Sequence, residues 1–381
     1  MIPLAVPNLT GRESEYLQEC IETTFVSSVG PFVTRFEKMV AEAAGGSLAV
    51  ATSAGTTGLH AALVAVGVRQ NDLVVLPSFT FIASANAIAY CGASPWLLDV
   101  TAESWTLDPV LLAEQLATET HQKNDCLVHK ATGRRVAAVM PVYTLGMPAD
   151  MDAITKIASD YNLPVVADGA AALGATYKKY SSGSFGADLT VYSFNGNKIV
   201  TAGGGGAVVG ENPELMKLVC HLTTTAKVGE AYHHDRIGFN YRMTNIAAAV
   251  GCAQMERLKE FVGLKRKIQK LYNEVLENLP GVSVFPQPDW AEGTRWLSGI
   301  IMANVESAEI LRCKLKENDI DARPFWKPIH LQPMFINSPA TAQPVSSEIW
   351  SRIVTLPCST GLKESEQAKV IETIRNSSLE S

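Results

Sequence analysis

The sequence predicts an α/β fold, in which helices cover both faces of a mostly parallel sheet and a smaller α+β domain follows. Short apolar runs recur along the first half of the chain, and helical patterns separate several of them. The runs are apolar throughout rather than at every second residue, which is typical of strands buried on both faces. The apolar runs are residues 73–76, 95–100, 136–142, 164–167 and 189–194, and the helical stretches are residues 59–66, 109–116 and 150–161.

The pattern changes after residue 243. Residues 244–279 contain no proline and only two glycines, and their apolar spacing predicts one long helix, continuous or interrupted. The tail holds a strand pattern at 299–303 and helical patterns at 308–317 and 364–374. We therefore expect a large domain over residues 1–250, with its N-terminal segment packed on the small domain. The bridging helix and the small domain are expected over residues 251–381.

Two local patterns add detail. The spacing of Thr10 and Glu13 matches a capping box and predicts the start of the first helix. The polar stretch 118–135 predicts a surface hairpin or loop.

Composition excludes several classes of protein. The 381 residues are 47% hydrophobic and 18% charged, with a net charge of −6, which excludes a disordered chain and a basic nucleic-acid-binding surface. Seven scattered cysteines without a CxxC pair predict free thiols in a reducing compartment, and no metal site is expected. No signal peptide and no apolar run of about 18 residues is visible, so a cytoplasmic protein without membrane contacts is expected.

Lys198 follows an apolar run and precedes four consecutive glycines, 203–206. A lysine in this place is compatible with a surface turn. It is also compatible with a desolvated amine that forms an imine with a carbonyl compound, beside glycines that let the backbone approach a ligand. Neither GxGxxG nor GxxxxGK[ST] is present, so a nucleotide-binding loop is not indicated.

Asp168 ends another apolar run, 30 residues before Lys198. A helix N-cap would explain it, and so would a carboxylate paired with a protonated pyridine nitrogen, because ligands bind at strand ends in open α/β sheets. Residues 52–58 form a third feature, a loop of small residues before a helix. That loop is compatible with N-capping by Thr56 or Thr57 and with phosphate binding by helix N-terminal amides.

The three features occur in the order phosphate loop, carboxylate, lysine. This order is typical of fold-type I enzymes that depend on pyridoxal 5′-phosphate, and the combination favours the functional interpretation over the structural one for each feature. The motifs further resemble the DegT/DnrJ/EryC1/StrS aminotransferases, which act on sugar nucleotides. They lie at residues 27–30, 77–84, 146–152, 193–198, 238–245, 254–258 and 323–330.

The resemblance implies the fold of these enzymes, with a seven-stranded type of sheet, and roles for individual residues. Lys198 forms the imine with pyridoxal phosphate and shuttles the proton, and Asp168 pairs with the pyridinium nitrogen. Phe81 stacks on the cofactor ring, unless it is a core phenylalanine.

Other implied contacts hold the phosphate. The amides of Gly55 and Thr56 and the hydroxyl of Ser193 would bind it, although Ser193 is also compatible with an ordinary strand-end hydroxyl. Asn240 would reach the phosphate from a second subunit, and Arg242 on the same loop is a candidate substrate-binding residue. The resemblance therefore implies a homodimer with shared active sites.

Trp326 and His330 are expected near the sugar nucleotide or, equally, as packed structural residues. Two positions depart from the family pattern. Ala171 stands where relatives usually have glutamine or glutamate near the phenolic oxygen of the cofactor, and Tyr143 stands where many have histidine.

The residues of several motifs are most similar to those of aminotransferases of the bacillosamine and legionaminic-acid routes. These include Asn195–Lys198, Arg295–Leu297, Arg323–Lys327 and the insert ending at residues 130–135. The resemblance implies a ping-pong transamination from L-glutamate to the C4 ketone of a nucleotide-linked 4-keto-6-deoxy sugar. The expected acceptor is UDP-2-acetamido-2,6-dideoxy-4-hexulose, for surface glycans or nonulosonic acids.

Three alternatives stay open: a pyridoxal-phosphate-dependent sugar dehydratase or other lyase, a non-catalytic regulator that binds the cofactor or sugar nucleotide, and a binding protein without cofactor. Lys198 disfavours the dehydratase, because relatives that dehydrate at C3 have histidine there. Lys198 and Asp168 together disfavour the loss of catalysis.

Overall fold

The computed structural model describes residues 1–45, 48–178, 180–181 and 185–378. The helices are α1 (Glu13–Glu22), α2 (Pro31–Ala43), α3 (Gly55–Ala65), α4 (Ile82–Tyr90), α5 (Pro109–Glu119), α6 (Met151–Asp160), α7 (Pro213–Thr223), α8 (Asn245–Met255), α9 (Leu258–Leu276), α10 (Val305–Glu317), α11 (Pro344–Ile349) and α12 (Glu364–Ser378). The strands are β1 (Leu48–Thr52), β2 (Leu73–Pro77), β3 (Ser94–Leu98), β4 (Thr120–Lys123), β5 (Cys126–His129), β6 (Val136–Val139), β7 (Val166–Asp168), β8 (Thr176–Tyr177), β9 (Tyr180–Ser181), β10 (Leu189–Ser193), β11 (Gly206–Gly210), β12 (Lys227–Val228), β13 (His233–His234), β14 (Val282–Val284), β15 (Ala291–Glu292), β16 (Ser298–Met302), β17 (Arg323–Pro324) and β18 (Ile353–Leu356).

The large sheet has seven strands in the order β3-β2-β6-β7-β10-β11-β1. Parallel bridges from Val139 to Val165 and from Val142 to Asp168 join β6 to β7. Strand β11 runs antiparallel to both of its neighbours, whereas the other neighbouring pairs are parallel. The predicted α/β fold with a mostly parallel sheet is confirmed.

Helices cover both faces of this sheet, because alternate residues of strand β2 pack into two different buried clusters. Val74 and Leu76 of β2 belong to a buried cluster with residues of α3, α4 and α7. Leu73 and Val75 belong to a second cluster, on the side of α2, α5, α6 and α8. Side chains of a strand alternate between faces, so a strand buried on both sides must be apolar at every position.

Each of the five predicted apolar runs overlaps a strand of the sheet, β2, β3, β6, β7 or β10, but the strands β1 and β11 were not predicted. Strand β1 contains two alanines among its five residues, and β11 contains one alanine and begins and ends with glycine. Glycine and alanine are depleted in strands, so propensity gives these segments little signal. Strand β11 is fixed instead by pairing with β10, and β1 is fixed by pairing with β11.

The predicted long helix is two helices, α8 and α9, which are separated at Glu256 and Arg257. The carboxylate of Glu256 accepts hydrogen bonds from Tyr16 at 2.6 Å and from Arg35 at 2.7 Å. The guanidinium of Arg257 donates to Thr10 Oγ1 at 2.9 Å. These partners are distant in sequence, so the helical period could not reveal the break.

A second sheet, antiparallel in the order β14-β16-β18-β17, lies after α9 and packs against α9 and α10, and α12 packs against these two helices. The first residues of the chain reach this region. The Ile2 amide donates to Asp319 O at 2.7 Å, and the Cys358 amide donates to Leu4 O at 2.7 Å. Strand β16 and helices α10 and α12 lie where the sequence predicted a strand and two helices.

The capping-box prediction at Thr10 is wrong. Helix α1 begins at Glu13 with Arg12 as its N-cap and has no side-chain cap. The Thr10 hydroxyl donates to Asn8 Oδ1 instead, and Glu13 is buried, where it accepts a hydrogen bond from Gln254.

The predicted surface hairpin is present as the antiparallel pair β4 and β5. Among the described helices, none is both long and apolar enough to span a membrane.

Candidate active site

A cavity of about 420 Å³ lies beside the carboxyl ends of β7 and β10, on the face that carries α3. Seven of the ten predicted site residues line it: Gly55, Thr56, Phe81, Asp168, Ser193, Lys198 and Trp326. The parallel strands of the large sheet place six of them together, because the carboxyl ends of these strands meet at one edge of the sheet. Trp326 comes from the segment after β17 of the second sheet.

Asp168 is the last residue of β7, and its carboxylate is 5% exposed. Its Oδ2 accepts a hydrogen bond from Ser84 Oγ at 2.6 Å, and its Oδ1 accepts from the Ala170 amide at 3.1 Å. Burial raises the pKa of Asp168, while these two hydrogen bonds and the charge of Lys198 oppose the rise. Within the described part of the chain, Asp168 forms no ion pair and caps no helix, so a buried carboxylate faces the cavity without a bonded cation.

Lys198 lies in the turn after β10, where its amide donates to Asn195 O at 2.9 Å. The residue is partly exposed, but its amine points into the cavity, and burial lowers the pKa of Lys198 to about 8. The negative charge of Asp168 opposes this shift. Its Nζ lies 3.6 Å from the centroid of the Trp296 ring. The amine can therefore lose its proton near neutral pH, as an imine-forming nucleophile must.

The phosphate loop is the tight connection between β1 and α3. The N-cap of α3 is Ala54, which has no capping side chain, and the Thr57 hydroxyl donates to Ala54 O at 2.8 Å. The first-turn amides of Gly55 and Thr56 therefore lie at the helix N-terminus without side-chain caps, as an anion requires.

Two glycines permit the close packing beneath this loop. A Cβ on Gly55 would lie 3.0 Å from Ser193 Cβ, and a Cβ on Gly206 would lie 2.6 Å from Ala54 O. The loop can thus settle against β10 and β11 only without these side chains.

Two aromatic residues, Phe81 and Trp326, also line the cavity. Phe81 is the N-cap of α4 and is 52% exposed, so it is not a core residue. Its ring centroid lies 5.8 Å from that of Trp326, which stacks on Phe325 at 4.4 Å. These faces are available for a flat ring inside the cavity.

Three predicted residues lie outside the cavity. His330 accepts or donates hydrogen bonds at both ring nitrogens, with Ser78 at 2.6 Å and Ser347 at 3.0 Å, and burial lowers its pKa. Arg242 bonds Glu37 and Ala51 O, which fixes the end of β1. Asn240 is exposed.

Sequence reasoning missed residues that support the cavity. Ser84, fully buried, donates to Asp168 and lies 2.9 Å from Thr80 Oγ1. Two hydroxyls four residues apart at the start of a helix were the available signal, but nothing in the sequence connects them to Asp168. Trp296 belongs to a motif that was recognised without a role.

The two departures from the family pattern are also visible. Ala171 adds only a methyl group to the cavity wall, and its carbonyl accepts a hydrogen bond from Thr294 at 2.6 Å. The hydroxyl of Tyr143 is buried, and burial raises the pKa of Tyr143 well above its ordinary value. Ala171 therefore offers no side-chain hydrogen bond to a ligand.

The groups present fit pyridoxal phosphate. The buried carboxylate suits its protonated ring nitrogen, the helix N-terminus suits its phosphate, and the amine of lowered pKa suits its aldehyde. This fold and this set of groups define a pyridoxal-phosphate-dependent enzyme of fold type I.

The chain belongs to the DegT/DnrJ/EryC1/StrS aminotransferase family, whose model matches residues 7–375. EpsN of Bacillus subtilis strain 168, which carries a provisional name as a pyridoxal phosphate-dependent aminotransferase, is 36% identical over 378 residues, or 98% of this chain and 95% of EpsN. The GDP-perosamine synthase of Escherichia coli O157:H7 is 35% identical over 374 residues, or 98% of this chain and 97% of the relative.

A crystal structure of a family member from Brucella abortus matches with a TM-score of 0.88 at 28% identity, and the match covers 96% of this chain and 95% of the other. The predictions of a transaminase and of pyridoxal phosphate as its cofactor are confirmed. The UDP-linked acceptor stays a prediction.

Proposed function

We propose that this enzyme transfers the amino group of L-glutamate to the C4 ketone of a nucleotide-linked 4-keto-6-deoxy sugar, with UDP-2-acetamido-2,6-dideoxy-4-hexulose as the acceptor. The observation that carries the proposal is a single cavity that holds both a buried carboxylate without a bonded cation, Asp168, and a readily neutralised amine, Lys198.

Bound pyridoxal phosphate supplies an aldehyde that condenses with amines and a pyridinium ring that accepts the electron pair of a breaking bond. Asp168 would hold the proton on the ring nitrogen of the bound cofactor. The hydrogen bonds from Ser84 and Ala170 favour the ionised carboxylate and so oppose the rise in the Asp168 pKa that burial causes.

Lys198 moves protons. With a pKa of about 8, its amine exchanges a proton readily at neutral pH, which is the condition for efficient acid–base catalysis. With the cofactor bound, the neutral amine would remove the proton from the α-carbon of glutamate and, as the ammonium, would deliver it to the C4′ carbon of the cofactor. In the second half-reaction, Lys198 would take a proton from C4′ and deliver it to the C4 carbon of the sugar.

The sugar nucleotide would enter between Phe81 and the segment that carries Arg323 and Trp326, all of which line the cavity. Aromatic faces pack against apolar sugar faces, and an exposed arginine suits a diphosphate. A GDP-linked acceptor is the second candidate, because one relative that is 35% identical over nearly the whole chain is named GDP-perosamine synthase.

We further propose a homodimer whose active sites are shared. Asn240 is exposed, and the preceding part of its loop presents Tyr232 and Ile237, which are 94% and 84% exposed. Apolar side chains on a projecting loop suit burial in a second copy of the chain. Asn240 of one subunit would then reach the phosphate in the other.

The division into a large domain over residues 1–250 and a bridging helix and small domain over 251–381 is likewise proposed. The two sheets of different topology support it. A cytoplasmic location is proposed because the cysteines are free in the described structure, as in reducing compartments.

The test has two parts. The purified protein, saturated with pyridoxal phosphate, should lose its visible absorbance band when glutamate is added, and 2-oxoglutarate should appear. UDP-, GDP- and dTDP-linked 4-keto sugars should then be compared as amino acceptors by kcat/KM. Bleaching without product on any 4-keto sugar would refute the acceptor class, and preference for a GDP-linked sugar would select the second candidate.

A further inference from the structure

Trp296 occupies a special position against the amine of Lys198. The ring centroid lies 3.6 Å from Nζ, well inside the distance at which a cation is attracted to an aromatic face. Within the described residues, Nζ makes no hydrogen bond, and the indole face is the group in cation–π contact with it.

The backbone and ring of Trp296 are fixed at three points. The indole N–H donates to Asn197 O at 2.6 Å, the Trp296 amide donates to Leu145 O at 3.3 Å, and the Trp296 carbonyl accepts from Lys265 Nζ at 2.9 Å. The residue is 4% exposed. A side chain held in this way cannot move aside when the lysine moves, so it can serve as a fixed surface for the amine.

The turn that presents Trp296 is itself unusual. Arg295 adopts a left-handed backbone conformation with a φ of 58°. Its guanidinium is buried away from the cavity, where it donates to Pro286 O and Gln287, and burial lowers its pKa to about 10. The left-handed turn thus sends the arginine and the tryptophan in different directions.

We propose that Trp296 is a positioning residue that holds the free, protonated amine of Lys198 against its indole face while the amine is not bonded to the cofactor. The proposal rests on the role proposed above for Lys198 and adds how the released lysine is kept in place for the next proton transfer. No covalent step is added.

The electrostatic consequence has a definite sign. An aromatic face favours the charged amine, so Trp296 and Asp168 both oppose the lowering of the Lys198 pKa by burial. The other titratable groups that line the cavity are Tyr143, which burial keeps neutral, and Arg323, which pairs with Asp321. Removing the indole face should therefore lower the Lys198 pKa further.

The test measures the acetylation rate of Lys198 by acetic anhydride against pH in the cofactor-free protein, with peptide mass spectrometry as the readout. Trp296→Leu should lower the midpoint of this profile by an amount on the order of one pH unit. Trp296→Phe keeps an aromatic face and should give a smaller shift in the same direction. Trp290→Leu is the control, because it removes an indole that packs against Tyr177 and does not line the cavity, and its midpoint should stay near that of the native protein.

An unchanged midpoint in folded Trp296→Leu would overturn the proposal. A raised midpoint would overturn it as well, since it would mean that Trp296 only excludes water from the amine. If Trp296→Leu fails to fold, the direction of the shift in Trp296→Phe decides. The measurement needs neither cofactor nor turnover, so its failure is distinguishable from failure of the proposed transamination, which the glutamate-dependent spectrum reports.

Discussion

Replacing Ser84 with alanine tests whether the environment of Asp168 is built to keep it ionised. Both side chains are buried, and the hydroxyl donates to the carboxylate at 2.6 Å. A hydrogen bond to a charged group contributes about 1.5–3 kcal/mol, and the Ser84 side chain that makes it is fully buried. In the variant, the equilibrium constant for ionisation of Asp168 should therefore fall by roughly 10- to 150-fold.

The effect should depend on pH. Burial already raises the pKa of Asp168, and loss of the Ser84 hydrogen bond raises it further. The bound cofactor requires the ionised carboxylate, so its affinity falls when the pH drops through the pKa of Asp168 in the free protein. In Ser84→Ala this fall begins at higher pH. The ratio of variant to native dissociation constants should approach the same factor, roughly 10- to 150-fold, at the acidic end and stay near one at the alkaline end.

The assay is a titration of the cofactor-free protein with pyridoxal phosphate, followed by absorbance at several pH values. Ser84→Thr keeps the hydroxyl and should restore most of the affinity. Ser346→Ala is a matched control, because it removes a buried serine that donates to the carboxylate of Asp99 outside the cavity. A loss of affinity in Ser84→Ala that is the same at every pH, or is matched by Ser346→Ala, would refute the reasoning.

Three further predictions concern the phosphate loop, the dimer and the histidine outside the cavity. Gly206→Ala should weaken cofactor binding by about tenfold, since its Cβ would lie 2.6 Å from loop backbone, whereas Gly196→Ala has room and should bind normally in the same titration. Lys198→Ala and Asn240→Ala should each be inactive alone but recover about a quarter of native activity when refolded together, because half of the dimers then contain one native site; no recovery would contradict shared sites. His330→Ala should lower the free energy of unfolding by about 1–3 kcal/mol and leave the KM for the sugar nucleotide unchanged. A raised KM with a native free energy of unfolding would contradict its structural role.

Much of the fold could be predicted because burial on both faces leaves a direct trace in the sequence. Strand β2 is apolar at each of its positions, and the alternation of such runs with helical patterns indicated the parallel sheet. Strands β1 and β11 left no such trace, because small residues and glycine pack closely beneath the phosphate loop. The break at Glu256 depends on Tyr16 and Arg35, far away in sequence.

The candidate site was predictable where chemistry requires a particular residue type at a strand end, as at Asp168 and Lys198. It was not predictable where the partner comes from elsewhere in the chain. Ser84 meets Asp168 across 84 positions, and the contact of Trp296 with Lys198 depends on a left-handed turn at Arg295. Side chains that tune charge rather than carry out chemistry leave little pattern.

The most direct test of Lys198 as the cofactor-binding lysine is reduction of the pyridoxal-phosphate-loaded protein with borohydride, followed by peptide mapping. The cofactor should be found covalently attached to Lys198. Prior treatment with excess glutamate should prevent the attachment, because the cofactor then carries the transferred amino group and the lysine is free. Attachment to a different lysine, or equal attachment to Lys198 with and without glutamate, would contradict the assignment.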